Sequence, residues 1–484
     1  MRNSEKSQGQ LLEEQLLYST KNIWAALDEL QKNKVFDFCE GYKSFLDKCK
    51  TERECVSEIV NIAAQNGFAD IQEILSTGKK LFPGDKVFFN NKGKSVVLAV
   101  VGNTGFSCGV NIVGAHIDAP RIDLKPNPVY EDSELVMLKT HYYGGIKKYQ
   151  WVTIPLALHG IVVTSDGKHV DITIGEDESD PVLTITDLLP HLASEQMQKK
   201  MSEGITGEGL NVLTGTIPYN DENIKNKVKL NILKLLKDKY GIREEDFLSA
   251  ELELVPAYKA KDVGIDRSMI GAYGQDDRVC AYPALQALLD LDRVPEKTCI
   301  CLLTDKEEIG SVGNTGAEST LFEDFIHYMC ALSSFKEDLK LPLTVLAKVC
   351  LRNARMLSAD VNAAYDPNYE GVLDRRNASY IGKGIVLQKY TGVRGKVGGS
   401  DANSEFLASV RLLFNQNSII WQAGELGKVD QGGGGTIAQY VAKLGAEVLD
   451  CGVAVLSMHS PFEITSKADI YMTYLAYKVF YNWV

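Results

Sequence analysis

The chain has 484 residues, 45% hydrophobic and 24% charged, which suits a globular protein long enough for a second domain. Its 52 Lys and Arg against 64 Asp and Glu leave a net charge of −12, which excludes nucleic acid as a main partner because phosphate binding needs a basic face. No apolar run is long enough to span a bilayer, the polar start Met1–Gln15 does not read as a secretory signal, and ten scattered cysteines without zinc-ribbon spacing imply a reduced, cytoplasmic setting.

In chain order, helical periodicity covers Leu11 to Lys32 and resumes from Val35 to Cys49. Thr51 with Glu54 forms a capping box that opens a helix through Ala64, which Gly67 closes. Val87 to Val101 reads as a hairpin turning at Asn-Asn-Lys-Gly, and Gly109 to Ala115 as a strand running into His116. From Leu124 the texture becomes β-rich, with strands at Leu135–His141, Ile154–Val163, Val170–Ile174 and Leu252–Ala257, and one lysine-rich helix at Asn223–Tyr240. Residues 124–255 are therefore expected to be a domain inserted between 1–123 and 256–484. Beyond it come a helix at Asp277–Leu291, kinked or delayed by Pro283, and a strand at Cys299–Thr304. A helix near Leu321–Leu332, a strand ending in Asp360, a helix at Asn403–Phe414 and a glycine run feeding a helix from Thr436 follow. A strand ends at His459, and Ser466 with Asp469 opens the last helix. Strands alternating with helices predict an α/β fold, a mixed and mostly parallel sheet flanked by helices.

The Cys299–Thr304 strand ends in Asp305-Lys306-Glu307-Glu308-Ile309-Gly310-Ser311. Adjacent glutamates at the carboxyl end of a buried parallel strand repel each other unless a cation intervenes, and ligand chemistry gathers at such ends. A metal resolves the repulsion, with one glutamate a ligand and the other a general base for water. His116 with Asp118, Asp276 with Asp277, Asp360 and His459 share the same strand-end context. Taken singly, each is equally a turn, a helix cap or a loop histidine. Taken together, they offer imidazole and carboxylate ligands without the thiolates of a structural zinc site. Asp276 could bridge two ions, with His116 and Asp360 on one, Glu308 and His459 on the other, and Glu307 left as base. Asp118 could accept the second N–H of His116 and fix its tautomer.

These segments resemble the M18 family of metalloaminopeptidases, which contains the aspartyl aminopeptidases. The resemblance spans nearly the whole chain. It rests on Gly114-Ala115-His116-Ile117-Asp118-Ala119-Pro120, Gln275-Asp276-Asp277, the Asp305–Ser311 run, Ser358-Ala359-Asp360-Val361 and Met458-His459-Ser460-Pro461. It implies that His116, Asp276, Glu308, Asp360 and His459 bind two divalent ions, zinc with cobalt or manganese as alternatives, and that Glu307 and Asp118 are catalytic. It also implies an inserted dimerisation domain and a homo-dodecamer built from dimers. By the same resemblance His191, in Leu188-Leu189-Pro190-His191-Leu192, reaches a neighbouring subunit's site to bind the substrate carbonyl or oxyanion, with direct metal ligation the lower-ranked alternative because five other ligands already suffice. Lys383, in Ile381-Gly382-Lys383-Gly384, meets an acidic substrate side chain. The chain departs from the aspartyl-specific members at Gly432-Gly433-Gly434-Gly435-Thr436-Ile437, where they usually have Cys-Gly-Thr/Ser-Thr. It also has Gln275-Asp276-Asp277 where many members have Leu-Asp-Asn. Both departures leave acidic specificity open.

The expected reaction is removal of N-terminal residues from peptides with a free amine, by water that a metal activates and Glu307 deprotonates. M42-type aminopeptidases and M20-type deacylases or carboxypeptidases use similar ligands and are the nearest alternatives. A non-catalytic assembly or cargo protein on the same fold is the alternative from another class.

Overall fold

The computed structural model describes residues 6–484, so Met1 to Glu5 of the polar start lie outside the described residues. The first helical stretch differs from expectation. Helices cover Gln8–Leu16, Ile23–Ala26 and Glu29–Lys48, so the chain breaks before Asp28 and runs unbroken through Lys32 to Lys34. The reason is local: the Asp28 carboxylate accepts the Gln31 N–H at 2.8 Å, and the Gln31 side chain accepts the Asp28 N–H at 2.9 Å. The Thr51–Glu54 box forms as expected and starts the Glu52–Gln65 helix. The Lys86–Asn91 and Ser95–Val100 hairpin also forms, with Gly93 at a positive φ in its turn.

The central sheet has nine strands. In spatial order they are Ala69–Asp70, Lys86–Asn91, Ser95–Val100, Thr298–Thr304, Val110–His116, Arg355–Ser358, Glu447–Gly452, Ile385–Gln388 and Trp421–Ala423. The four in the middle, from Thr298–Thr304 to Glu447–Gly452, are mutually parallel. Thr298–Thr304 is buried along its whole length. Cys299, Cys301 and Leu303 point into one core with Leu285, Tyr477 and Phe480, while Ile300 and Leu302 point into another with Phe325, Met329 and Cys350. Helices therefore cover both faces, which is why the strand reads as a continuous apolar run rather than an alternation.

A second sheet of seven strands, all antiparallel, is built within residues 121–256. Lys227–Tyr240 is its long helix. A third sheet orders Lys261–Val263, Met269–Ala272, Glu463–Ser466, Ala454–Leu456 and Asn362–Ala363. This small sheet was not expected, and it changes how the site is assembled. Pro283 lies inside the Gln275–Leu289 helix, and the non-helical backbone sits at Asp276 and Asp277 instead. Among the described residues no helix is long and apolar enough to cross a membrane.

Candidate metal centre

Parallel register aligns the strand ends. Thr304 pairs with His116, and Ser358 lies beside both Gly114 and Asp450. This places His116, the Glu307–Ile309 turn and Asp360 along one edge. Asp276 and His459 come from the small sheet, Asp276 after Met269–Ala272 and His459 between Ala454–Leu456 and Glu463–Ser466. The expectation that every site residue ends a strand of one sheet is thus corrected: two sheets meet here. Within the small sheet the buried Glu463 carboxylate ties Asp276 to His459, accepting the Asp276 N–H at 3.0 Å and the His459 N–H at 2.7 Å.

Distances within the cluster are short. His116 Nε2 lies 3.1 Å from Asp276 Oδ1 and 3.9 Å from Glu307 Oε2. His459 Nε2 lies 3.3 Å from Asp276 Oδ2 and 3.4 Å from Glu308 Oε2. Donor atoms of His116, Glu307 and Asp360 fall within 4.8 Å of one another, as do those of His116, Asp276 and Glu308. His116, Asp118, Asp276 and Asp360 are buried, and the glutamates and His459 are partly so. Asp118 has a wider role than tautomer control. Its carboxylate accepts the Glu307 and Glu308 N–H groups at 3.1 and 3.2 Å, while the Nδ1 of His116 is nearest its backbone carbonyl, at 3.1 Å, and 3.3 Å from its carboxylate.

Electrostatically the cluster is overloaded with negative charge. Burial, then the charge on Asp276, pushes the Glu308 carboxyl well above the usual range. Burial, with Asp277 and Glu307 beside it, does the same to Asp360. Glu307 rises to about 7, through burial and its Asp118 and Asp276 neighbours, with His116 opposing. Burial disfavours charge on both histidines. Bonds to Asp118 and Asp276 nevertheless raise His116 well above its ordinary value, and Asp276 and Glu308 raise His459 to about 10. One buried oxygen of the cluster, Glu308 Oε1, has no hydrogen-bond partner among the described residues. An orphaned acceptor among crowded carboxylates and two imidazoles fits divalent cations.

A cavity of about 280 Å³ adjoins the cluster, with Val361, Gln388, Tyr390, Arg394, Leu426 and Met458 in its wall, together with the Gly432–Gly435 run. Lys383 is not in that wall. It sits between Gly382 and Gly384, whose N–H groups donate to Asp469. His191 is exposed on the Pro190–Leu192 turn and is not brought to the cluster within one chain. Glu463 and Gln275 were missed from sequence. Gln275 donates to the Ile270 and Glu463 carbonyls, so the Gln-Asp-Asp departure has a structural use. The only local hint of Glu463 was a carboxylate four residues after a strand-end histidine.

A family model described as "Aminopeptidase I zinc metalloprotease (M18)" matches residues 45–481. A probable M18 family aminopeptidase 1 of Clostridium acetobutylicum is 53% identical over 467 residues, 96% of this chain and 99% of that one. The crystal structure of an M18-family aminopeptidase from Thermotoga maritima superposes with a TM-score of 0.90 at 45% identity, covering 97% of this chain and 100% of that one. An S. cerevisiae mApe1 dodecamer, 22% identical, covers 92% of this chain and 96% of that one with a TM-score of 0.71, a likeness of fold alone. The chain belongs to the M18 family and is a metal-dependent aminopeptidase.

Proposed function

We propose that the chain cleaves the first peptide bond of peptides with a free N-terminus, using two divalent ions at this cluster. The observation that carries the two-ion reading is Asp276, whose two carboxylate oxygens face different histidines, Oδ1 towards His116 and Oδ2 towards His459. One residue thereby bridges two positions. His116 and Asp360 would hold one ion, Glu308 and His459 the other. When bound, the ions supply Lewis acidity, lowering the pKa of water and offsetting charge on the scissile carbonyl oxygen. Zinc is the metal of the family's name, and this nitrogen and oxygen set also suits cobalt or manganese.

Glu307 acts as the base. It takes a proton from water as the water adds to the carbonyl carbon and returns it to the departing amine. Asp118 holds the Glu307–Glu308 turn in place through two N–H bonds. The adjoining cavity receives the N-terminal side chain.

The remaining members of the reading rest on resemblance. His191, exposed on the 121–256 sheet domain, enters a neighbouring subunit's site and binds the substrate carbonyl or its oxyanion. Lys383 contacts an acidic side chain of the substrate. The 124–255 region is the dimerisation domain of a homo-dodecamer. Ten free cysteines, nine of them buried, suit the cytoplasm. Mixed oligomers of His191→Ala and Glu307→Gln chains test the shared site: no regained activity after verified co-assembly would remove His191 from it.

The deciding experiment uses metal-stripped protein with Asp-, Glu-, Leu- and Lys-peptides and an N-acetyl-Leu-peptide, before and after adding zinc, cobalt or manganese. Restored cleavage of free-amine substrates alone, at two ions per chain by elemental analysis, supports the reading. Cleavage of the blocked peptide would move it to a deacylase, and one ion per chain at full activity would overturn the bridge.

A further inference from the structure

We propose that Tyr143-Gly144-Gly145, which ends a strand of the antiparallel sheet, is a positioning element that sets the geometry of the metal ligands. The inference rests on the ligand reading above and adds residues from outside the two sheets that carry the ligands.

Tyr143 ends the Leu135–Tyr143 strand, where it pairs with Arg121. Its hydroxyl donates to Asp118 Oδ2 at 2.8 Å. That carboxylate also accepts the Glu307 and Glu308 N–H groups and lies 3.3 Å from His116 Nδ1. One phenol thus braces the group that orients the base and two ligands. Its ring is held in turn, because the Arg121 guanidinium stacks 3.9 Å from the ring centroid. Arg121 is fixed by Asp123 at 2.8 Å and Glu253 at 3.1 Å, both in the same antiparallel sheet.

Two residues on, the Gly145 carbonyl lies 2.9 Å from His459 Nδ1. A carbonyl only accepts, so Nδ1 carries a proton, and Nε2, which faces Asp276 and Glu308, is the nitrogen left to offer to an ion. The approach favours glycine. A Cβ on Gly145 would lie 3.2 Å from His459 Nδ1. Gly144 has φ of +73°, and a Cβ there would lie 3.3 Å from the Glu308 Cβ. The same three residues therefore touch supports of both proposed ion positions without supplying a ligand.

Tyr143→Phe keeps the ring under Arg121 and removes only the hydroxyl. The expected result is a loss of metal affinity of about tenfold or more, the usual effect of deleting a ligand's supporting hydrogen bond. At saturating metal kcat falls while KM changes less than about twofold, the pattern of a group that positions the reacting centre rather than binds substrate. The visible absorption of cobalt-loaded protein shifts. In an Asp118→Asn background, Tyr143→Phe should add nothing further to the affinity loss, because the two act through one bond. Gly145→Ala is the second probe, expected to change the cobalt spectrum through His459. Wild-type affinity and an unchanged spectrum in Tyr143→Phe would overturn the proposal, and so would full additivity with Asp118→Asn. A wild-type chain that binds no cobalt or zinc would instead overturn the ligand reading itself.

Discussion

His116 and His159 are both buried histidines set against acidic residues, and they differ in what surrounds them. His159, on the Leu156–Val163 strand of the antiparallel sheet, has Nδ1 2.7 Å from Glu54 and Nε2 3.1 Å from Glu176. Lys50 lies 2.5 Å from the same Glu176. Lys259 lies 3.2 Å from its other oxygen, so three cations face two carboxylates and the junction between the N-terminal helices and the antiparallel sheet leaves neither carboxylate uncompensated. Around His116 and His459 stand Asp118, Asp276, Glu307, Glu308 and Asp360, with no Lys or Arg among the described residues paired to any of the five. A buried cluster that balances its own charge is a fastening, whereas one that leaves carboxylates in excess is prepared for cations from solution.

The sharpest way to break this contrast is to remove charge from each side. Glu307→Gln should fold, retain its metal and lose kcat by about a thousandfold, within the range a general base contributes. Steady-state kinetics with elemental analysis check it, and near-normal turnover would take Glu307 out of the reaction. His159→Gln should do the reverse. It leaves Glu54 and Glu176 short of a partner and costs about 3 kcal/mol of stability, the order expected when one member of a buried ion network is deleted. Urea denaturation measures that loss, and metal content should not change.

Metal itself provides the next test. Because the excess charge lies in the ligand cluster, chelation should abolish activity and lower Tm. Adding metal back to a hundred times its Kd should restore about 2.7 kcal/mol for each ion bound. His159→Gln protein should gain the same increment, since its lesion is in the other cluster. A smaller gain would mean that the two clusters are coupled.

How legible these clusters were differs for a physical reason. His116, Glu307, Glu308 and Asp360 announced themselves because each follows a short buried strand, and a strand's end is a local signal. The Thr51–Glu54 cap and the Lys86–Val100 hairpin were legible for the same reason. The break at Asp28 was local too, but helical periodicity on either side concealed it. Glu463, Tyr143 and Gly145 were not legible. The Asp276, Asp118 and His459 groups they hold lie 187, 25 and 314 residues away, and the only nearby mark is the His459 that Glu463 follows by four residues. His159 was hidden likewise, as an imidazole inside an otherwise apolar strand whose carboxylates come from distant segments. The third sheet escaped because its strands are two to four residues long and come from three separate stretches of chain.

The smallest effect expected is a pH dependence confined to the junction. Burial opposes ionisation of Glu176, but hydrogen bonds from His159 and Lys50 hold its carboxyl at about 2, below the ordinary 4.5. A depressed carboxyl contributes stability above its unfolded pKa and loses it as pH falls towards 2. Burial also opposes charge on His159, yet Glu176 and Glu54 raise it above its ordinary 6.5. A raised histidine contributes fully below 6.5 and loses that contribution as pH rises through its folded value. The two windows overlap between pH 4.5 and 6.5, where the junction should be strongest. The Tm difference between wild type and His159→Gln, both metal-free, should therefore be widest there and narrow on the alkaline side. A difference that stays constant through neutral pH would show that folding does not shift His159, and one that grows with pH would show it neutral when folded, with Lys50 and Lys259 left to balance the two carboxylates.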